Sequence, residues 1–262
     1  MEDAGRNNSV CKDNYAERFM DDRGRQIFEP FKSEKMPNLS NITRCRLIDD
    51  YLSAELARNS TLNIFTIGSG FDTRPYRLAG GNWIEVDEPQ IISYKNERLP
   101  VEECSNPLKR ISMDFANDSL ANKLEEESCG DYSVVVIEGV FMYLETKAVQ
   151  NTIDTIQILF PRHMLYCDLM TKKFFTRFAQ SVHSKLVASG GEFSTRPDFP
   201  EAIFTQHNYE PMERIPMFKR ARELGILWDQ AKIPAFASWL LLNLFLKDLG
   251  GYAVHRLYFE KN

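Results

Sequence analysis

One segment constrains the fold more than any other. The apolar run Asn63-Ile64-Phe65-Thr66-Ile67 breaks into Gly68-Ser69-Gly70, and a second run, Ile84-Glu85-Val86-Asp87, ends in a carboxylate nineteen residues after Gly68. A strand that gives way to a Gly-x-Gly turn, followed by a strand ending in an acid, is the layout of a nucleoside site at the edge of a parallel sheet. The glycines let the backbone turn tightly and let a ligand approach it, while the acid accepts from both ribose hydroxyls. A dinucleotide site wants a third glycine three residues after the second. Thr73 stands there instead, which ranks a nicotinamide oxidoreductase last.

The rest of the chain supports a doubly wound α/β sheet. Strands are expected at 62–67, 82–87, 108–113, 132–138 and 163–168, alternating with helices near 74–79, 89–98 and 117–127 and one from Thr146 that stops at Pro161. After the turn Pro37-Asn38-Leu39-Ser40, the spacing of Leu47, Ile48, Tyr51, Leu52 and Leu56 predicts a helix capped by Ser40 or Asn41. Residues 1–12 read as a loose tail. Residues 171–248, broken by prolines 197, 200, 211, 216 and 234, read as helical, with a final strand at 252–259. The expected organisation is N-terminal helices and a lid over 1–60, a cofactor-binding core over 61–170, a helical substrate cap over 171–248, and the last core strand over 249–262.

Composition narrows the partners. The 262 residues carry 32 basic and 37 acidic side chains, a net charge of −5, with no Lys/Arg-rich run, which argues against a nucleic-acid backbone and for a small molecule or a peptide end as partner. The cysteines at 11, 45, 104, 129 and 167 form no Cys-x-x-Cys pair, and the four histidines lack ligand spacing, so neither a disulfide framework nor a metal site is expected. The longest apolar stretch, Trp239 to Phe245, is too short to span a bilayer, and a cytoplasmic location is expected. Nothing in the sequence fixes an oligomeric state.

The other strand ends discriminate between nucleosides. Asp114 can accept from an adenine amino group while Phe115 packs on the purine. Glu138 closes the fourth strand with the small Gly139 beside it. An anionic, narrow mouth suits a cation, and S-adenosylmethionine carries a sulfonium and an ammonium together with a carboxylate that Arg44 or Arg46 can hold.

Four blocks carry a more specific likeness. Arg44-Cys45-Arg46-Leu47-Ile48-Asp49-Asp50, Gly68-Ser69-Gly70-Phe71-Asp72-Thr73-Arg74-Pro75, Glu85-Val86-Asp87-Glu88-Pro89 and Glu138-Gly139-Val140-Phe141-Met142-Tyr143-Leu144 resemble the leucine carboxyl methyltransferase family, which includes the tetracenomycin-type polyketide O-methyltransferases. The likeness runs from about residue 13 to the end, through Arg220-Ala221-Arg222-Glu223-Leu224-Gly225 and Gly251-Tyr252-Ala253-Val254-His255. It implies a seven-stranded, mostly parallel class I methyltransferase (Rossmann-like) sheet with a helical cap before the last strand. It further implies S-adenosylmethionine as cofactor, with Arg44 on its carboxylate, Gly68 along its methionine part, Asp87 on the ribose, Asp114 and Phe115 on the adenine, and Glu138 against it. Gly70 and Asp72 join this set as turn residues. The family's N-terminal lysine has no match, since Lys12 does not align with it.

The expected reaction is O-methylation of a carboxylate or hydroxyl on a small molecule, of polyketide or other secondary-metabolite type. Methylation of a protein C-terminal leucine, or cofactor binding without transfer, are the alternatives. An ionised carboxylate needs no base, and alignment can supply roughly 7–11 kcal/mol. A hydroxyl needs a base, for which Tyr143 and Asp168 are the candidates. Ordinary explanations stand beside these. Asp72 caps a helix as readily as it binds a ligand, and histidines 163, 183, 207 and 255 read as structural. The aromatic residues of the cap, Phe174, Phe175, Phe178, Phe193, Phe199, Phe204, Trp228, Phe236 and Trp239, are divided between packing and an apolar acceptor pocket.

Overall fold

The computed structural model describes residue 3 and residues 9–127, 131–194, 197–227, 237 and 248–261. Cys129, Trp228, Phe236, Trp239 and the apolar stretch 239–245 lie outside the described residues.

The strands are β1 (Asn63–Ile67), β2 (Asn82–Asp87), β3 (Leu108–Ser112), β4 (Ser133–Ile137), β5 (Arg162–Met170), β6 (Glu210–Pro216) and β7 (Tyr252–Glu260), joined in one sheet of order β3-β2-β1-β4-β5-β7-β6. β1 to β5 are parallel, and β7 runs antiparallel to both β5 and β6. This is the expected doubly wound, mostly parallel class I methyltransferase sheet. The chain winds outward from β1 to β3 and then returns to β4. Connections after β1 and β4 therefore leave in opposite directions, opening a crevice at the carboxyl ends of these two strands.

The helices delimited among the described residues are α1 (Asp22–Phe28), α2 (Lys35–Arg58), α3 (Arg74–Arg77), α4 (Pro89–Arg98), α5 (Leu120–Leu124), α6 (Thr146–Leu159), α7 (Lys172–Phe174), α8 (Gln180–Ala188), α9 (Ala202–Gln206) and α10 (Met217–Glu223), with a π-helical turn at Phe175–Ala179. Every residue of β4 is buried, because helices cover both faces of the sheet. Alternate residues feed two cores. Ile64, Trp83, Val134 and Val136 meet Leu47, Ile48, Leu52 and Leu56 of α2, while Phe65, Ile84, Val135 and Ile137 meet Val149, Ile153, Ile156 and Leu159 of α6. Truncating one such aliphatic side chain to alanine costs about 2–5 kcal/mol.

Three expectations need correction. First, the section read as wholly helical contains β6. Its prolines 211 and 216 and its mostly exposed side chains suit an edge strand with a bulge, which carries no alternating apolar pattern. Second, α2 begins at Lys35, so the Pro37–Ser40 turn is its first turn rather than a preceding loop. Pro37 sits where a helix N–H has no partner anyway, and Ser40 Oγ donates back to the Pro37 carbonyl at 2.8 Å. Third, the described part of the tail is tied down. Asp3 accepts from Ser9 Oγ and from the amides of Val10 and Cys11, while Arg46 and Arg77 hold the Val10 and Cys11 carbonyls.

Candidate active site

The Gly-x-Gly turn is built around two left-handed residues, Gly68 at φ +70° and Gly70 at φ +49°. They differ in purpose. A Cβ on Gly68 would lie 2.5 Å from Val140 Cγ2, so Gly68 lets the β1 and β4 turns pack together, whereas nothing lies within 4 Å of the same position on Gly70. Gly70 therefore presents open backbone to the crevice. Its amide donates to Asp87 Oδ2 at 2.5 Å, and the Glu88 amide donates to Oδ1 at 2.7 Å. Each Asp87 oxygen keeps a lone pair for a further donor.

Beside this turn lies a buried ion network. Arg74 of α3 contacts Asp49 at 2.6 Å, Asp72 at 2.9 Å and Glu138 at 2.7 Å, and Arg77 contacts Asp49 at 2.7 Å. Arg44 of α2 contacts Glu138 at 2.8 Å and Asp168 at 2.9 Å. Desolvation alone would raise the Glu138 and Asp72 pKa values, but Arg74 together with Arg44 for the first, and with Lys95 and Arg77 for the second, holds both below the usual carboxylate range. Four carboxylates thus share three guanidiniums, and Asp13, 3.7 Å from Arg77, adds another acid. The cluster carries excess negative charge.

Asp72 takes its structural role here. Its carboxylate accepts from the Arg74 amide at 3.0 Å and from Arg74 Nη1 at 2.9 Å, so it fixes the start of α3. Asp168, buried at the end of β5, accepts from the Gly139 amide at 2.6 Å, Arg44 Nη1 at 2.9 Å and the Tyr252 hydroxyl at 2.7 Å. Its oxygens face protein donors. Asp114 and Phe115 follow β3 next to the end of β2. Asp114 accepts from Ala116 and Asn117 within its own turn, and Phe115, 39% exposed, donates its amide to Glu88.

A cavity of about 1810 Å³ adjoins this edge. Arg44, Phe71, Gly139, Met142 and Tyr143 line its inner end, Phe28, Phe31, Met36 and Leu39 come from the N-terminal helices, and Phe174, Phe178, Val182 and Phe193 from the section after β5. Of the catalytic and cofactor-binding candidates, only Arg44 and Tyr143 reach its wall. Gly68, Gly70, Asp87, Asp114, Phe115 and Glu138 lie along the neighbouring strand ends. Phe204 packs into the sheet core and Phe199 is exposed. Burial raises the Tyr143 pKa, with Arg44 opposing and Asp168 adding to the rise. The cavity-lining acids are engaged: Asp21 with Gly24, Tyr94 and Arg98, Glu34 with Lys185 and Ser181, and Asp3 with the backbone of residues 10 and 11. No histidine is among the described lining residues.

Sequence reasoning left four contributors unassigned: Asp49, Arg74, Arg77 and Tyr252. Asp49 and Arg74 stand inside the quoted motif blocks and Arg77 just beyond one, where a run of charge next to a glycine turn was the available signal. Tyr252 stands in a stretch of likeness to which no role was attached, because its role depends on an antiparallel pairing across the sheet. Among the described residues no helix is long and apolar enough to cross a membrane, and no group of His, Cys, Asp and Glu has metal-binding geometry.

Residues 1–157 match the sequence model of the family described as leucine carboxyl methyltransferase. A protein of Mycobacteroides abscessus is 26% identical over 121 residues, covering 45% of this chain and 39% of the relative. One of Mycolicibacterium paratuberculosis is 28% identical over 135 residues, covering 49% and 43%. Both bear the name "Putative S-adenosyl-L-methionine-dependent methyltransferase", and the chain spans about two-fifths of their length. Among solved structures, a DUF574 family protein from Streptomyces avermitilis shares the fold with TM-score 0.57 at 11% identity, covering 90% of this chain and 88% of its own. Magnesium protoporphyrin IX methyltransferase from Synechocystis PCC 6803, solved with SAM bound, gives TM-score 0.52 at 10% identity, covering 93% and 94%.

Proposed function

Since the chain belongs to the leucine carboxyl methyltransferase family, we propose that it uses S-adenosylmethionine to methylate a carboxylate oxygen of a small, largely apolar acceptor. The observation that carries the cofactor half of this reading is the crevice at the ends of β1 and β4. There the Gly70 backbone is open, Asp87 retains acceptor capacity, and a buried cluster holds more carboxylates than guanidiniums. Those features fit a ligand with a ribose, a net positive charge and one carboxylate. Asp87 would take the ribose hydroxyls and Arg44 the carboxylate, with Phe115 and Asp114 at the adenine. Both mycobacterial relatives bear a name that fits this assignment.

The acceptor half rests on the cavity. At about 1810 Å³ it exceeds the roughly 300–1,000 Å³ of an ordinary ligand pocket, room for a second, apolar molecule beside the cofactor. Among the described residues its wall supplies no ready base. Tyr143 is shifted toward the protonated form, Asp168 faces three donors, and the lining acids are paired. An acceptor that is already ionised at neutral pH needs none.

When bound, the cofactor supplies an electrophilic methyl carbon on a sulfonium sulfur. The residues of this chain align the acceptor with it, keep water out through the apolar walls, and offset the charge that transfer removes. The test is label transfer from radioactive S-adenosylmethionine to a panel of apolar acids and phenols. Base-labile label, released as methanol from a methyl ester, is expected; base-stable label confined to phenols would overturn the carboxylate assignment.

A further inference from the structure

Resting on the cofactor reading above, we propose that Tyr252 is a positioning residue that aims the Arg44 guanidinium at the carboxylate of the bound nucleoside. The topology explains how a residue so late in the chain reaches the site. Each parallel strand meets the crevice edge with its last residues. β7 is antiparallel and arrives with its first: Tyr252 pairs with Met170 at the end of β5, and Val254 pairs with Asp168. Residues two apart share a sheet face, so the Tyr252 side chain lies diagonal to that of Asp168.

The hydroxyl closes a triangle. It donates to Asp168 Oδ2 at 2.7 Å and accepts from Arg44 Nη1 at 2.5 Å, while Arg44 Nη1 also donates to that Asp168 oxygen at 2.9 Å. Arg44 Nε is held separately by Glu138 Oε1 at 2.8 Å. A guanidinium is planar, so fixing Nε and Nη1 fixes its plane and the direction of Nη2. Among the described residues Nη2 makes no hydrogen bond, and it borders Gly139, whose absent side chain leaves it clear: a Cβ there would lie 3.1 Å away. Tyr252 and Arg44 both line the cavity, and the buried Tyr252 ring packs against Phe174 at 5.6 Å between centroids.

Titration calorimetry with two ligands tests this. S-adenosylhomocysteine has the amino-acid carboxylate, and 5′-methylthioadenosine lacks it. Tyr252→Phe should weaken the first about tenfold and leave the second unchanged. In an Arg44→Met background, Tyr252→Phe should produce no further loss, since it acts only through Arg44. Asp168→Asn, a second near-isosteric variant, should show the same ligand selectivity. Unchanged binding of S-adenosylhomocysteine by Tyr252→Phe, or an equal loss for both ligands, overturns the proposal while the cofactor reading stands. Failure of the unmodified protein to bind either ligand overturns both.

Discussion

Two buried ion clusters lie a few residues apart on the same side of the molecule. Glu85 of β2 meets Lys95 of α4 at 2.8 Å and Arg110 of β3 at 2.9 Å, with all three side chains at most 2% exposed. Arg110 is further engaged by the Leu99 carbonyl, Asn96 and the Tyr76 hydroxyl. Two residues later Asp87 leads into the other cluster, where Arg44, Arg74 and Arg77 are shared among Asp49, Asp72, Glu138 and Asp168. The first is closed, surrounded by protein, and lines no part of the large cavity. The second has surplus acid and borders the crevice. Burial and charge alone do not mark a functional site; unspent hydrogen-bonding capacity beside open space does.

The largest effect should come from opening the closed cluster. Glu85→Ala strands two buried cations and is expected to cost about 3–5 kcal/mol in denaturant unfolding, with the affinity of the remaining folded protein for S-adenosylhomocysteine unchanged. A loss of affinity as large as the loss of stability would erase the distinction between the clusters.

Acid sensitivity between pH 6.5 and 4.5 should come from two buried histidines outside both clusters. His163, between the Phe160 carbonyl and the Tyr209 hydroxyl at 2.7 Å each, and His255 are both pushed down by burial from 6.5 to about 4. Below 6.5 the unfolded chain takes up protons that the folded one refuses. Their stabilisation is therefore complete above pH 6.5 and is lost as pH falls toward 4, on the order of 3 kcal/mol for each. Glu138 and Asp72, whose pKa values are depressed, contribute fully above their unfolded values and lose that contribution only as pH falls through the lower folded ones. Unfolding midpoints should drop between pH 6.5 and 4.5, and His163→Gln with His255→Gln should flatten that slope. A slope that survives both changes assigns it to the carboxylates instead.

Asp87→Ala should weaken S-adenosylhomocysteine by about thirtyfold, roughly 2 kcal/mol, with less than about 1 kcal/mol lost from stability. Calorimetry beside thermal melts separates the two. Phe115→Ala should cost about 1 kcal/mol of nucleoside affinity, the low end for stacking on a base. Smallest of all, Tyr143→Phe should leave turnover within about twofold; a collapse in turnover would make Tyr143 the base and favour a hydroxyl acceptor.

β1, β2, β4 and β5 were legible because their apolar runs are buried on both faces and end at turn residues, whereas β3, half-buried at the sheet edge, was legible only from its place in the strand–helix alternation. β6 was not, since an exposed edge strand with two prolines has no periodic signal. The glycine turn, Asp87, Glu138 and Arg44 were legible as types at strand ends or on the preceding helix. How Arg74 and Asp49 knit them together was not, because the partners are set by tertiary packing: Asp49 and Arg74 lie 25 residues apart and Arg44 and Glu138 lie 94 apart. Asp168 shows the limit most clearly. Its place at a strand end suggested a base, yet the fold turns its oxygens toward an amide, a guanidinium and a phenol.

The antiparallel seventh strand also bears on when the site comes into being. Arg44 and Tyr252 are 208 residues apart in the chain, so the guanidinium meets its phenol only after nearly everything between them has been synthesised and folded. During translation the glycine turn and Asp87 emerge early, on strands that pair with one another, while the arginine waits for a partner still inside the ribosome. A chain stalled before β7 would display the crevice while Arg44 still lacks its phenol partner.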